Sequence, residues 1–127
     1  MDLLAIILLN IYLNTDWDII IIDKLSYASK GFERLRDIKK LNNKRIRIFC
    51  YDLINSLSDG LKYEFGNDID YIVHMAAETH IDNSIKNPVD FIHNNVMSTI
   101  NILEYGRTLK NLKNYSILVQ MKYLVRH

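Results

Sequence analysis

One cysteine, one proline, one tryptophan and four glycines are all that 127 residues contain of these types. The lone Cys50 cannot close an internal disulfide, which excludes a disulfide-stapled scaffold and fits a reducing, cytoplasmic setting. It stands in an apolar run, so a buried strand residue is expected there rather than a reactive thiol. Scattered glycines, a single proline and the lack of repeats or low-complexity tracts leave no linker at which to divide the chain. Charge of one sign is also missing. With 16 basic against 15 acidic residues the formal charge is +1, which gives no electrostatic reason to expect nucleic acid or an anionic membrane as partner. Residues 3–13 form the longest apolar stretch, but Asp2 has the wrong sign for a leader. Asn10, Asn14, Asp16 and Asp18 then interrupt anything approaching the ~20 residues that span a bilayer. A membrane-tethered peptide is therefore disfavoured, and the length allows one domain at most.

What is present centres on residues 70–96, DYIVHMAAETHIDNSIKNPVDFIHNNV. Tyr71, Ile72 and Val73 read as a short strand buried on both faces, as parallel strands in α/β folds are. Ala76 and Ala77 follow its end, where larger side chains would hold a flat ligand away from the backbone. Glu78, Thr79, His80 and Asp82 make a polar cluster, and Asn87-Pro88 opens a long helix, since proline suits the first helical position. Phe91, Ile92, Val96, Ile100 and Leu103 are expected to face the sheet from that helix. Upstream, residues 18–23 run through four isoleucines to Asp23, a central parallel strand tipped by an acid. In a dinucleotide fold such an acid accepts hydrogen bonds from the adenosine ribose and repels a 2′-phosphate, so Asp23 argues for NAD over NADP. Residues 31–41 have the spacing of a covering helix, and residues 45–50 alternate basic and apolar side chains into a third strand ending near Asp52. Residues 53–65 read as a weaker helix, and the segment from Tyr115 to Val119 as a further strand. His74, Glu78, His80 and Asp82 lack metal-ligand spacing, and no metal is expected.

HMAAETHIDNSIKNPVDFIHNNV, with IIIIDKLSYAS before it, closely resembles the dTDP-glucose 4,6-dehydratases of the extended short-chain dehydrogenase/reductase group. The resemblance covers roughly residues 18–115. It implies a partial Rossmann-type doubly wound parallel sheet and an NAD cofactor. The positions it assigns to the cofactor are Asp23, Lys24, Leu25, Ser26, Asp52, Leu53, Met75, Ala76, Ala77, Glu78, Thr79 and Asn94, with Thr79 also touching substrate. Ser26 keeps the hydroxyl of the family's Thr, whereas Tyr51 replaces a Gly. The implied substrate is a nucleotide-linked hexose, dTDP-glucose. The reaction oxidises C4, removes water across C5 and C6 and returns the hydride at C6, leaving NAD unchanged. The intact family is homodimeric.

Three parts of such an enzyme are absent from the sequence: a Gly-rich turn after the first strand, a Thr-Asp-Glu motif and a Tyr-x-x-x-Lys. No residue can therefore be assigned a catalytic role. With one choice of codons for Gly-Phe-Ile-Gly-Asn-His-Ile-Val-Lys-Tyr, a displaced reading frame yields Met1 to Asn10. Ser116 to Val125 relates in the same way to Phe-His-Ile-Ser-Thr-Asp-Glu-Val-Phe-Gly. The expectation is an incomplete NAD-binding domain whose residues 1–13 and 116–127 are out of frame and whose substrate domain is missing. Such a chain is inactive as written. The alternatives are a relative of the nucleotide-sugar 4-epimerases, favoured by Asn94 and disfavoured by ETHIDNSI, or a non-catalytic nucleotide-binding or interaction protein.

Overall fold

The computed structural model describes residues 11–12, 14–24, 44–75 and 81–118. The chain divides into two units, residues 1–52 and residues 53–127.

In the first unit β1 (Ile19–Asp23) and β2 (Ile46–Cys50) pair in parallel, with Ile19 opposite Ile46 and Asp23 opposite Cys50. Four β-branched side chains in succession favour the extended backbone of β1. The ladder continues past both ends, through Ile19 N to Arg45 O at 2.7 Å and Tyr51 N to Asp23 O at 3.1 Å. The turn into β1 is tied down separately. Thr15 Oγ1 donates to Tyr12 O at 2.6 Å and accepts from Trp17 N at 3.2 Å, while the Tyr12 and Trp17 rings stack at 5.4 Å. Arg45 Nη1 reaches across to Thr15 O at 2.5 Å. Cys50 is exposed, not buried as expected. It ends β2 opposite Asp23, where its Sγ lies 3.6 Å from Lys24 O. The expected helix over residues 31–41 lies outside the described residues.

In the second unit β3 (Tyr71–His74) and β4 (Asn114–Ile117) are parallel, Tyr71 opposite Asn114 and His74 opposite Ile117. Parallel neighbours need a crossover, here supplied by α3 (Pro88–Thr108) after the short α2 (Ile81–Lys86). The sequence reading did not foresee α2. The strand β3 is less covered than expected. Only His74 is fully buried, and Tyr71 is 46% exposed with Lys113 Nζ 5.8 Å from its ring centre.

The helix expected over residues 53–65 is shorter, α1 (Asp59–Phe65). Ser58 starts it by accepting from Leu61 N at 3.3 Å, and Gly66 ends it at φ 81°. Asn55, Ser56 and Ser58 offer the backbone local side-chain bonds that compete with helix. Leu53 and Leu57 are nevertheless buried, so the turn is packed.

Most of the apolar stripe expected to face the sheet from α3 does not, Phe91 alone of it being half-buried. Ile92 is 61% exposed and Leu103 40%, with Val96 and Ile100 also exposed, whereas Ser98, Ile102, Tyr105 and Gly106 are buried. The helix carries two apolar faces, and periodicity cannot rank them. The face with the small residues is the inner one. A Cβ on Gly106 would stand 3.6 Å from Ile72 Cδ1 and 3.9 Å from Tyr115 Cδ2, so α3 and the strands meet closely there. Phe65 and Tyr105 pack edge to face at 5.9 Å in the same core.

Tyr115 Oη is buried with no hydrogen-bond partner among the described residues. Removing an unsatisfied buried hydroxyl relieves its desolvation cost, so Tyr115→Phe should leave stability unchanged or raise it by about 1 kcal/mol. A denaturant melt showing a loss of that size would mean the hydroxyl is satisfied.

Candidate functional site

Parallel strands present their carboxyl ends at one edge, and that edge is where open α/β sheets take ligands. In the first unit Asp23 closes β1, and Asp52 follows β2 by two residues. The bond from Tyr51 N to Asp23 O holds the two tips in step, so the acids share one edge. Asp23 and Asp52 are half-buried and each engages in an interaction, while Lys24 is exposed.

Leu53, in the second unit, has a buried side chain, so only its backbone is left to meet a ligand. Asn101 Nδ2 sets that backbone from α3, donating to Leu53 O at 2.8 Å and Ile54 O at 2.9 Å. Sequence reasoning missed Asn101. Its signal was an amide in mid-helix between two isoleucines, where Asn is a poor helix former and needs a tertiary reason.

At the tip of β3, Met75 is half-buried, as is Asn94 on α3. Leu25, Ser26, Ala76, Ala77, Glu78 and Thr79 lie outside the described residues, as do Glu78 and His80 of the polar cluster. His74 is 5% exposed, and its Nε2 lies 3.0 Å from Thr99 Oγ1. Among the described residues no three His, Cys, Asp or Glu side chains converge on a metal position, and no helix is long and apolar enough to cross a membrane.

Burial lowers the His74 pKa from its ordinary 6.5. The unfolded chain therefore takes up a proton first as the pH falls. The stability that depends on neutral His74 is complete above the unfolded value and is lost as pH drops through the lowered folded one. The melting temperature should fall on acidification below about pH 6.5, and His74→Gln should flatten that fall. An unchanged slope in the variant would assign it to other groups.

A family profile described as GDP-mannose 4,6 dehydratase matches residues 7–121. Among curated proteins, a dTDP-glucose 4,6-dehydratase of Escherichia coli is 37% identical over 74% of this chain and 25% of its own length. One from Mycobacterium tuberculosis is 36% identical over 68% of this chain and 24% of its own. The chain thus spans about a quarter of the length of these relatives. The fold is similar to that of a dTDP-glucose 4,6-dehydratase from Streptomyces venezuelae solved with NAD and TYD bound. The TM-score is 0.68 at 26% identity, covering 88% of this chain and 33% of that one. With such neighbours and its parallel strand pairs, the architecture is α/β and Rossmann-type, with only part of the sheet described.

Proposed function

Because the chain belongs to the GDP-mannose 4,6-dehydratase family, we propose that it derives from the NAD-binding domain of a nucleotide-hexose dehydratase acting on dTDP-glucose. The observation that carries this reading is the pair of acids at one edge of a parallel strand pair, with Asp23 ending the isoleucine strand. That placement fits an adenosine. Asp23 would accept from the ribose hydroxyls and exclude a 2′-phosphate by charge, and Asp52 with the Leu53 backbone would meet the adenine side. Met75, Asn94 and residues 76–79 would line the nicotinamide side, with Thr79 toward the sugar. Bound there, NAD would supply a reversible hydride acceptor.

The chain's own residues can hold and orient such a cofactor but include no acid–base pair assigned to the elimination. In this reading residues 1–13 and 116–127 are out of frame, the substrate domain lies outside the chain, and the protein is inactive as written. The family match reaches into both flanks, and β4 crosses the second boundary, with Ser116 and Ile117 in register with Val73 and His74. An apolar, β-branched peptide pairs as a strand in either frame, so the codons are the test of this part. Rereading them must yield GFIG-like and STDEVFG-like peptides.

The exposed stripe of Val89, Ile92, Val96, Ile100 and Leu103 on α3 has the three- and four-residue spacing that suits packing against a second helix, as the homodimer implied for the intact family would supply. Titration of isotope-labelled chain with NAD and NADP tests the cofactor reading. Millimolar NAD should shift the amide signals of Asp23, Lys24, Asp52, Leu53, Met75 and Asn94 together, and NADP should do so less. Saturating NAD that leaves those signals unmoved would instead favour a non-catalytic interaction protein.

A further inference from the structure

Resting on the proposed function only for its link to a ligand, we infer that His74 is a positioning residue. It is a neutral imidazole protonated on Nε2 that pins the tip of β3 to α3 through Thr99. The tautomer follows from counting protons. Thr99 Oγ1 lies 2.9 Å from Asn95 O and 3.0 Å from His74 Nε2. A hydroxyl has one proton and a carbonyl oxygen can only accept, so the Thr99 proton goes to Asn95 and its lone pair faces the ring. His74 must then donate. A neutral imidazole has a single N–H, which places it on Nε2 and leaves Nδ1 bare.

The side chain is 5% exposed, so water does not compete for this bond. Ser98 Oγ also donates to Asn95 O, at 3.0 Å, which gathers both hydroxyls of this turn of α3 onto one carbonyl. On its backbone side His74 is fixed as well, accepting from Leu118 N at 3.0 Å beyond the end of β4. One residue thus ties the strand end to the neighbouring strand by its carbonyl and to the crossover helix by its ring. The next residue is Met75, and the segment expected to face the ligand follows it.

The test uses the full chain with ¹⁵N-labelled histidine. Nitrogen signals for His74, assigned by their loss in His74→Gln, should show a protonated Nε2 and a bare Nδ1 at neutral pH. A protonated Nδ1 would overturn the inference, because Thr99 would then be the donor. Coupling is read by a double-mutant cycle. His74→Leu and Thr99→Val should each lower the folding equilibrium constant about tenfold, and the pair together about tenfold rather than a hundredfold. Additive losses would overturn it.

If His74→Leu does not fold, His74→Gln decides. Its amide nitrogen reaches the Nε2 position, so it should stay within about threefold of the parent, while His74→Asn, which places its nitrogen at the Nδ1 position, loses about tenfold. Equal losses in the two would sink the assignment. A chain that passes the tautomer and coupling tests but shows no NAD shifts would uphold the positioning role and count against the dinucleotide reading.

Discussion

Phe65→Ala should unfold the second unit or bring it close to unfolding. Truncating a buried aromatic costs about 3–5 kcal/mol from lost burial and the cavity left behind, and small domains have only about 5–15 kcal/mol to lose. Phe65 is 5% exposed and packs edge to face with Tyr105, 7% exposed, so it joins α1 to α3. Tyr105 Oη, 3.5 Å from Gly66 O, draws the end of α1 toward the same helix. With the ring gone, α1 keeps its caps at Ser58 and Gly66 and the Tyr105 hydroxyl, and a seven-residue helix has little stability of its own in water. Urea unfolding followed by the signals of β3 and α3 measures the effect. A midpoint shift equivalent to under about 1 kcal/mol would show that the core lies elsewhere.

If the two ends are out of frame as proposed, restoring the frame should raise NAD affinity about a thousandfold, from millimolar to micromolar, a gain of ~4 kcal/mol. The physical source is the pyrophosphate. In the proposed reading Asp23 and Asp52 would meet an adenosine at the strand tips, but no described segment is a glycine-rich turn opening a helix. Such a turn lets backbone N–H groups and the positive end of the helix meet two phosphate charges at close range. Calorimetric titration of the two chains side by side makes the comparison. Micromolar NAD binding by the chain as written would overturn the out-of-frame reading, since residues 1–10 would then already supply the cradle. Equal weak binding by both chains would place the deficit somewhere other than the first turn.

The strands were legible because their signals are local. Consecutive isoleucines before Asp23, and Tyr71 to Val73 between a turn and two alanines, specify extended backbone with a ligand-facing end. The observed strands agree to within a residue or two. Pro88 marked the start of α3 for the equally local reason that its ring fixes φ and needs no donor. Residues 53–58 were misjudged because their two leucines suit a helix or a packed turn alike. The choice fell to Ser58 as cap and to the Asn101 amide spanning two carbonyls from 47 and 48 positions away.

By itself, then, the sequence determined the types of the four described strands and of α1 and α3, the acid at the end of β1, the acid just beyond β2 and the family. Each of these is written in neighbouring residues or in a contiguous motif. Only the tertiary structure decided which face of α3 turns inward, that Cys50 is exposed, and that the His74 ring is bonded to Thr99 and Asn101 to the turn at Leu53. Those outcomes depend on which surfaces approach most closely. The small side of α3, at Ser98 and Gly106, allows nearer contact than the aliphatic side, and spacing along a chain does not encode distance between its elements.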